Sequence, residues 1–356
     1  MHSIHQTRTA YPGSPRMDSG LAHPEPAKAA VRIHPVFLPF AGCPQRCAFC
    51  NQNAVTGTGP RPLGEILHSL ESDLEQALTR GAAPRELGFF GGTFTALPDP
   101  WPQRFLELGA RYRERGLVTR MRCSTRPDAT NPALLEDLKN RGLDLVELGI
   151  QSFSGPALDA SQRGYDPDTA RAGCANVRET GLDLGIQLMP GLPGQTRRDF
   201  EADIRETVAL DPECVRLYPC VVLRGTRLAK TWDQGQYTPW DLDATVDALA
   251  EALLALWARG IPVIRMGLPP EPGLEKDILA GPTHPALGQL ARSLALLRFL
   301  TPRIQALGAA PKKLLAPTRY RSDLLGHKRS QLPHYQALGL PLTRIEFHDQ
   351  DWFELS

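Results

Sequence analysis

The 356-residue chain has no run of about 18 uncharged apolar residues, which a membrane-crossing helix would need. Its first 20 residues, MHSIHQTRTAYPGSPRMDSG, lack the apolar core of a secretory signal. Arg8 and Arg16 precede the first acid, Asp18, in the manner of a transit peptide, but a plain polar tail is the simpler reading. An excess of one charge is missing too: 40 Lys and Arg face 39 Asp and Glu. That balance supplies no prior for a nucleic-acid or membrane partner, a local patch aside. Thirty-three prolines and 31 glycines mark many loops, yet they follow no collagen-like period. Hydrophobic residues at 42% and charged residues at 22% exclude wholesale disorder and fit a soluble globular protein. Cysteine is scarce, with seven in the chain. Without an export signal, these point to a reducing cytoplasm and away from a disulfide framework.

What is present is regular. Residues 1–30 show no periodicity and read as a disordered tail. Apolar runs that predict buried strands follow at Ile33–Leu38, Glu86–Phe90, Thr119–Cys123, Leu145–Ile150, Leu182–Leu188 and Cys214–Tyr218, with Ile261–Arg265 a candidate seventh. Helical patterns alternate with them at Leu63–Thr79, Gln103–Arg115, Pro132–Asn140, Pro167–Glu179 and Arg197–Leu210, and from Pro239 to Trp257. Buried strands joined by helices make parallel βαβ units with right-handed crossovers. Six such units suggest an α/β protein with a partial (β/α)6-type, TIM-like barrel; an open doubly wound sheet is the rival. Polar or glycine-rich segments follow nearly every strand, namely GCPQRCAFCNQN, FGGTFT, STRPD, GIQS, QLMPGLPG and YPC. A doubly wound sheet would concentrate its signature at one switch point, so the barrel is preferred. Residues 31–268 form this core, and 269–356 are expected to be an α+β extension closing the barrel mouth.

Three of the seven cysteines, Cys43, Cys47 and Cys50, lie within eight residues directly after the first strand. A structural zinc site wants four ligands, and no second CxxC exists. A thioredoxin-type pair would leave Cys43 idle. Chance clustering beside Gly and Pro is a poor explanation. An iron–sulfur cluster suits best, because three thiolates can hold three irons of a cube and leave the fourth open for chemistry.

The CxxxCxxC spacing, with Phe49 before the last cysteine, resembles the signature of the radical S-adenosylmethionine (radical SAM) superfamily. The segments HPVFLPFAGCPQRCAFCNQ, FFGGTFTALP, RCSTRPDA, VELGIQSF, SQRGYD, MPGLPGQT and VRLYPCVVLRGT are similar to the radical core of the Elongator catalytic subunit and its stand-alone bacterial relatives, over about residues 33–268. The resemblance implies a [4Fe–4S] cluster on Cys43, Cys47 and Cys50, shielded by Phe49. S-adenosylmethionine would chelate the open iron, and its reductive cleavage would give a 5′-deoxyadenosyl radical for hydrogen abstraction. A one-electron donor such as flavodoxin or ferredoxin is implied as partner.

By the same resemblance, Gly91, Gly92 and Thr93 would meet the methionyl ammonium, with Thr93 replacing the usual acid; a tight turn is the alternative. Ser124 and Arg126 would meet the methionyl carboxylate, although Asp128 offers Arg126 a salt bridge. Gln151 and Arg163 match nucleoside and carboxylate contacts, while Gln187 stands where some relatives bind ribose through an acid. The Met189–Gly194 segment would pass under the adenine, and Tyr218 and Pro219 would flank it. Glu147, alone in an apolar strand, needs a buried partner, for which Arg126 and Arg163 are candidates.

Past residue 268 no acetyl-CoA loop is visible, so acetyl transfer is not expected. Residues 303–329 hold seven Lys or Arg against the single acid Asp323, either a phosphate-binding patch or a solvated face. His284 in GPTHPALG is a candidate at the barrel mouth or a helix cap. Three functions stay open: a radical enzyme acting on a small molecule or peptide, a tRNA-modifying radical enzyme of Elongator type, or a non-catalytic protein that binds the cluster and S-adenosylmethionine.

Overall fold

The computed structural model describes residues 20–26, 32–57, 59–268, 273–308 and 310–356. Contacts divide these into two compact units. One takes in 32–248 and 263–285; the other takes in 20–26, 249–262 and 286–356.

The first unit is built on seven parallel strands in sequential order: β1 (Arg32–Phe37), β2 (Arg85–Phe90), β3 (Val118–Thr125), β4 (Leu145–Gln151), β5 (Asp183–Leu188), β6 (Cys214–Leu217) and β7 (Val263–Met266). The candidate seventh strand is therefore part of the sheet, pairing with β6. Helices α1 (Leu63–Thr79), α2 (Trp101–Glu114), α3 (Pro132–Asn140), α4 (Pro167–Glu179) and α5 (Arg197–Leu210) fill the crossovers, as the periodicity predicts. Helix α6 (Leu242–Trp257) starts three residues later than its pattern suggests, because the Asp241 carboxylate accepts the Ala244 N–H at 2.7 Å and caps it.

Alternation along the strands separates two environments. On β2, Leu87 and Phe89 are fully buried, and Phe89 packs on Phe94 and on Phe105 of α2 at 4.8 and 5.6 Å between centroids. Burying each such side chain contributes about 1.5–3 kcal/mol. The alternate positions face the inside of the curled sheet and are mostly polar: Glu86, Arg122, Glu147, Gln187 and Arg216. Part of the segment assigned to the C-terminal extension belongs to this unit as well. Ile278–Ala280 pairs antiparallel with Val222–Leu223, and Leu279 and Ala280 join the apolar cluster that receives Phe49.

The second unit has a four-stranded sheet of Leu21–Ala22, Trp352–Leu355, Leu314–Pro317 and Ile345–His348, in that order. Helix α7 (Leu287–Gln305) contributes Leu296, Leu300 and Ile304 to a core with Leu314, Tyr335 and Phe353. The disordered-tail reading of 1–30 is corrected where the chain is described: Leu21 pairs with Phe353, and His23 stacks on Tyr320 at 3.8 Å. Residues 1–19 lie outside the described residues. The basic stretch is partly neutralised from within, since Lys313 pairs with Glu346 and Arg319 with Asp351. No helix among the described residues is long and apolar enough to cross a membrane.

Candidate functional site

The strand-end segments converge on one cavity of about 600 Å³ in the first unit. All three clustered cysteines line it, together with Gly91, Gly92 and Thr93 after β2, Ser124 and Arg126 at the end of β3, Gln151 and Arg163, Gln187, and Tyr218. The remaining cysteines, Cys123, Cys174, Cys214 and Cys220, are buried elsewhere, and His284 is not among the lining residues.

The cysteine loop is held by backbone. Ala48 N–H donates to Ser161 O at 2.9 Å, and Ala48 O accepts from Leu228 N–H at 2.8 Å. Gly92 is required by this loop: a Cβ there would overlap Ala41 O and stand 2.7 Å from Leu38 O. Its neighbour Gly91 adopts φ +96°, a left-handed conformation natural to glycine. The fully buried Thr93 sets its hydroxyl 3.3 Å from Cys43 Sγ, so its side chain serves the cysteine loop. Phe49 packs against the cluster of Leu192, Val222 and Leu228. Burial pushes the Cys43 thiol up, partly opposed by Thr93. Burial, then the neighbouring Cys47 and Cys43, pushes Cys50 up to about 12. A thiol in that state stays protonated at neutral pH unless a bound metal replaces its proton.

Arg163 is buried and among the described residues reaches no carboxylate. It donates to Cys47 Sγ at 2.9 Å, to the Tyr165 hydroxyl at 2.9 Å and to Gly149 O. Arg126 grips Asp128 through two bonds of 2.8 and 2.7 Å and also donates to Arg163 O, which leaves its buried Nη1 without a partner. Gln151 adopts φ +68°, unusual for a residue with a side chain, and its buried Oε1 is likewise unpartnered. Spare buried donors and acceptors around a cavity are costly unless a ligand uses them.

Deeper inside, Glu147 accepts from Arg216 at 2.5 and 3.0 Å, from Arg122 at 3.3 Å and from Gln187 at 3.1 Å. Burial works against its charge, but Arg216 and Arg122 outweigh that and hold the carboxyl below its usual value. It is a structural counter-ion, although the expected partners Arg126 and Arg163 are corrected to Arg122 and Arg216. Those two sit on β3 and β6 with inward parity, while Arg126 and Arg163 belong to the loops above. Gln187 also donates to Ser124 Oγ at 2.9 Å, so its amide N–H groups are engaged inside the protein. Tyr218 accepts from Arg216 at 3.3 Å. Tyr165, Arg122 and Arg216 escape sequence reading; for the two arginines the visible signal was a charged residue within an otherwise apolar stretch of β3 and β6.

Three thiols on one loop, a buried guanidinium on the middle sulfur, and unpartnered polar atoms at the rim fit a cluster with a polar cofactor beside it.

A parallel half-barrel with a cysteine triad at its C-terminal rim is the frame of a cofactor-dependent enzyme class. Two family models extend the match beyond the triad: the radical SAM superfamily over residues 37–207, and the radical SAM C-terminal domain over 212–296. The chain belongs to the radical SAM superfamily, whose members use a [4Fe–4S] cluster and S-adenosylmethionine. It is 24% identical over 272 residues to a tRNA uridine(34) acetyltransferase of Methanocaldococcus infernus, covering 65% of this chain and 51% of the relative. To the Elongator complex protein 3 of Danio rerio it is 31% identical over 194 residues, covering 48% and 35%. The chain thus spans about half or less of these relatives' length. Its fold is similar to that of the archaeal Methanocaldococcus infernus Elp3, with a TM-score of 0.57, 19% identity, and 77% and 64% of the two chains covered.

Proposed function

We propose that the chain is a radical enzyme that uses S-adenosylmethionine at a [4Fe–4S] cluster to abstract hydrogen from a substrate admitted to the barrel cavity. Bound together, the two cofactors supply one-electron cleavage of a sulfonium and hence hydrogen-abstraction chemistry. Cys43, Cys47 and Cys50 hold the cluster, and Arg163 offsets negative charge at Cys47. Arg126, through its spare Nη1, and Ser124 receive the methionyl carboxylate; Gly91 and Gly92 admit the methionyl backbone. Gln151 offers its free Oε1 to a cofactor donor, and Tyr218 flanks the nucleoside. Phe49 and its apolar neighbours keep water from the cluster.

The observation that carries this reading is Arg163. A cation buried without a carboxylate needs an anion, and its nearest candidate is the sulfur of Cys47, 2.9 Å away. The test is anaerobic incubation of the iron- and sulfide-reconstituted protein with S-adenosylmethionine and dithionite. Product 5′-deoxyadenosine is expected from the wild type and not from the Cys43→Ala/Cys47→Ala/Cys50→Ala variant. An intact cluster without product would replace this reading with non-catalytic cofactor binding.

A second reading, tRNA as the substrate, draws on the names of the relatives and on Lys312, Arg321, Lys328 and Arg329 in the basic stretch. It requires tRNA affinity that falls steeply with salt; flat or absent binding removes it.

A further inference from the structure

Five arginines line the cavity (Arg46, Arg126, Arg163, Arg216 and Arg265), and among the described residues no aspartate or glutamate does. Four of them have an assignment. Arg46 lies over the Phe40 ring at 4.3 Å, Arg126 grips Asp128, Arg163 meets Cys47, and Arg216 is bound by both oxygens of Glu147. Below them the buried charges close on themselves, because Arg122 joins Glu86 to Glu147. Arg265 is left over. It is half-buried, and among the described residues its side chain makes no hydrogen bond or ion pair. Its backbone pairs in register with Arg216, so two guanidinium-bearing residues stand side by side on β6 and β7. Glu147 already neutralises Arg216, and among the described residues no second acid is left for Arg265.

A second group points the same way. The Tyr218 oxygen accepts from Arg216, while its own O–H has no acceptor among the described residues. Tyr218 directly follows β6, two residues past the Arg216 that pairs with Arg265, and both Tyr218 and Arg265 line the cavity. A strong fork of donors and a spare hydroxyl donor therefore share one wall of the cavity. Arg265 lies outside the residues assigned to the cofactors, and Tyr218, assigned to the nucleoside by its ring, keeps its hydroxyl for another ligand.

We propose that Arg265, with the Tyr218 hydroxyl, forms an anion subsite that binds a carboxylate or phosphate group of the substrate, whose apolar part lies on the cavity lining of Ile33, Phe37, Phe90 and Leu268. The subsite deepens the enzymatic reading and rests on it for the word substrate; anion binding itself does not depend on turnover. A guanidinium fork plus one hydroxyl matches the planar, multi-oxygen geometry of both anions. The unpaired cation is a local cost that the free protein carries and the ligand removes.

The test follows thermal unfolding of the reconstituted protein against inorganic phosphate and, separately, acetate, at an ionic strength held constant with chloride. S-adenosylmethionine affinity is measured in parallel. One of the two anions is expected to raise the wild-type midpoint saturably, and which one does so identifies the group. Arg265→Gln is expected to weaken that response by about tenfold or more, with S-adenosylmethionine affinity within about twofold. In chloride alone Arg265→Met should be at least as stable as wild type, since it removes an unpaired cation. Tyr218→Phe, which keeps the ring, should weaken the anion response by about threefold.

Three results would overturn the subsite. The first is no response of wild type to either anion, or an equal response in Arg265→Gln. The second is Arg265→Met unfolding earlier than wild type, which means an internal counter-ion. The third is lost S-adenosylmethionine affinity in Arg265→Gln, which makes Arg265 a cofactor contact. If wild type binds the anion but forms no 5′-deoxyadenosine, the subsite stands and the enzymatic reading fails.

Discussion

The inside of the half-barrel and its rim handle buried polarity in opposite ways. Inside, Glu86, Arg122, Glu147 and Arg216 match two acids to two bases, and of their side-chain atoms Arg122 Nε alone is buried without a partner. At the rim, Arg126 Nη1 and Gln151 Oε1 are buried without partners, and Gln151 holds a strained backbone. Even the buried acids differ. Glu147 has two guanidiniums and is held low, whereas Asp203 below the rim has only Ser152, the Phe153 N–H and Gln195. Neutral donors do not offset its burial, and Asp203 is pushed up to about 6. A matched interior is a scaffold, and a rim with unused bonding capacity is a place prepared for something else.

Removing the central interior charge should have the largest effect. Glu147→Ala strands Arg122 and Arg216 and should cost about 3–5 kcal/mol in denaturant unfolding. A loss under about 1 kcal/mol would mean that water already screens the network.

Asp203 should act through pH. Its folded value lies above its ordinary 3.8, so the protonated form is favoured by folding. Its stabilising contribution is full below about pH 4 and is lost as pH rises through about 6, on the order of 3 kcal/mol. Wild type should therefore lose stability relative to Asp203→Asn across that window; the opposite trend would place a cation beside it.

Gly92→Ala forces the cysteine loop off Ala41 O and Leu38 O. We expect about 2 kcal/mol of destabilisation and fewer irons retained per chain after reconstitution. Full iron content would show that the loop yields freely.

The smallest effect sharpens the contrast most. Gln151→Gly relieves the positive φ and the orphaned oxygen, so it should stabilise the free protein by about 1 kcal/mol while weakening S-adenosylmethionine binding. Destabilisation instead would make Gln151 part of the scaffold.

Much of the frame was legible in the residues. Helix bounds at Leu63–Thr79, Pro132–Asn140 and Pro167–Glu179 follow from apolar period and from Pro, Asn and Gly punctuation, which act within a few residues. The cysteine spacing likewise announces its chemistry locally. Long-range pairings were not legible. Leu21 meets Phe353 across almost the whole chain, so a segment that reads as tail becomes a strand.

The sequence by itself determined the alternation of strands and helices, the position of the cysteines after the first strand, and the family. Tertiary structure decided which charges meet. Glu147 faces Arg122 and Arg216, and among the described residues Arg265 remains without an acid, because sheet register and inward parity bring distant residues together. A local pattern sets the period of each element, but the partner of a buried charge depends on where another strand, tens of residues away, comes to lie.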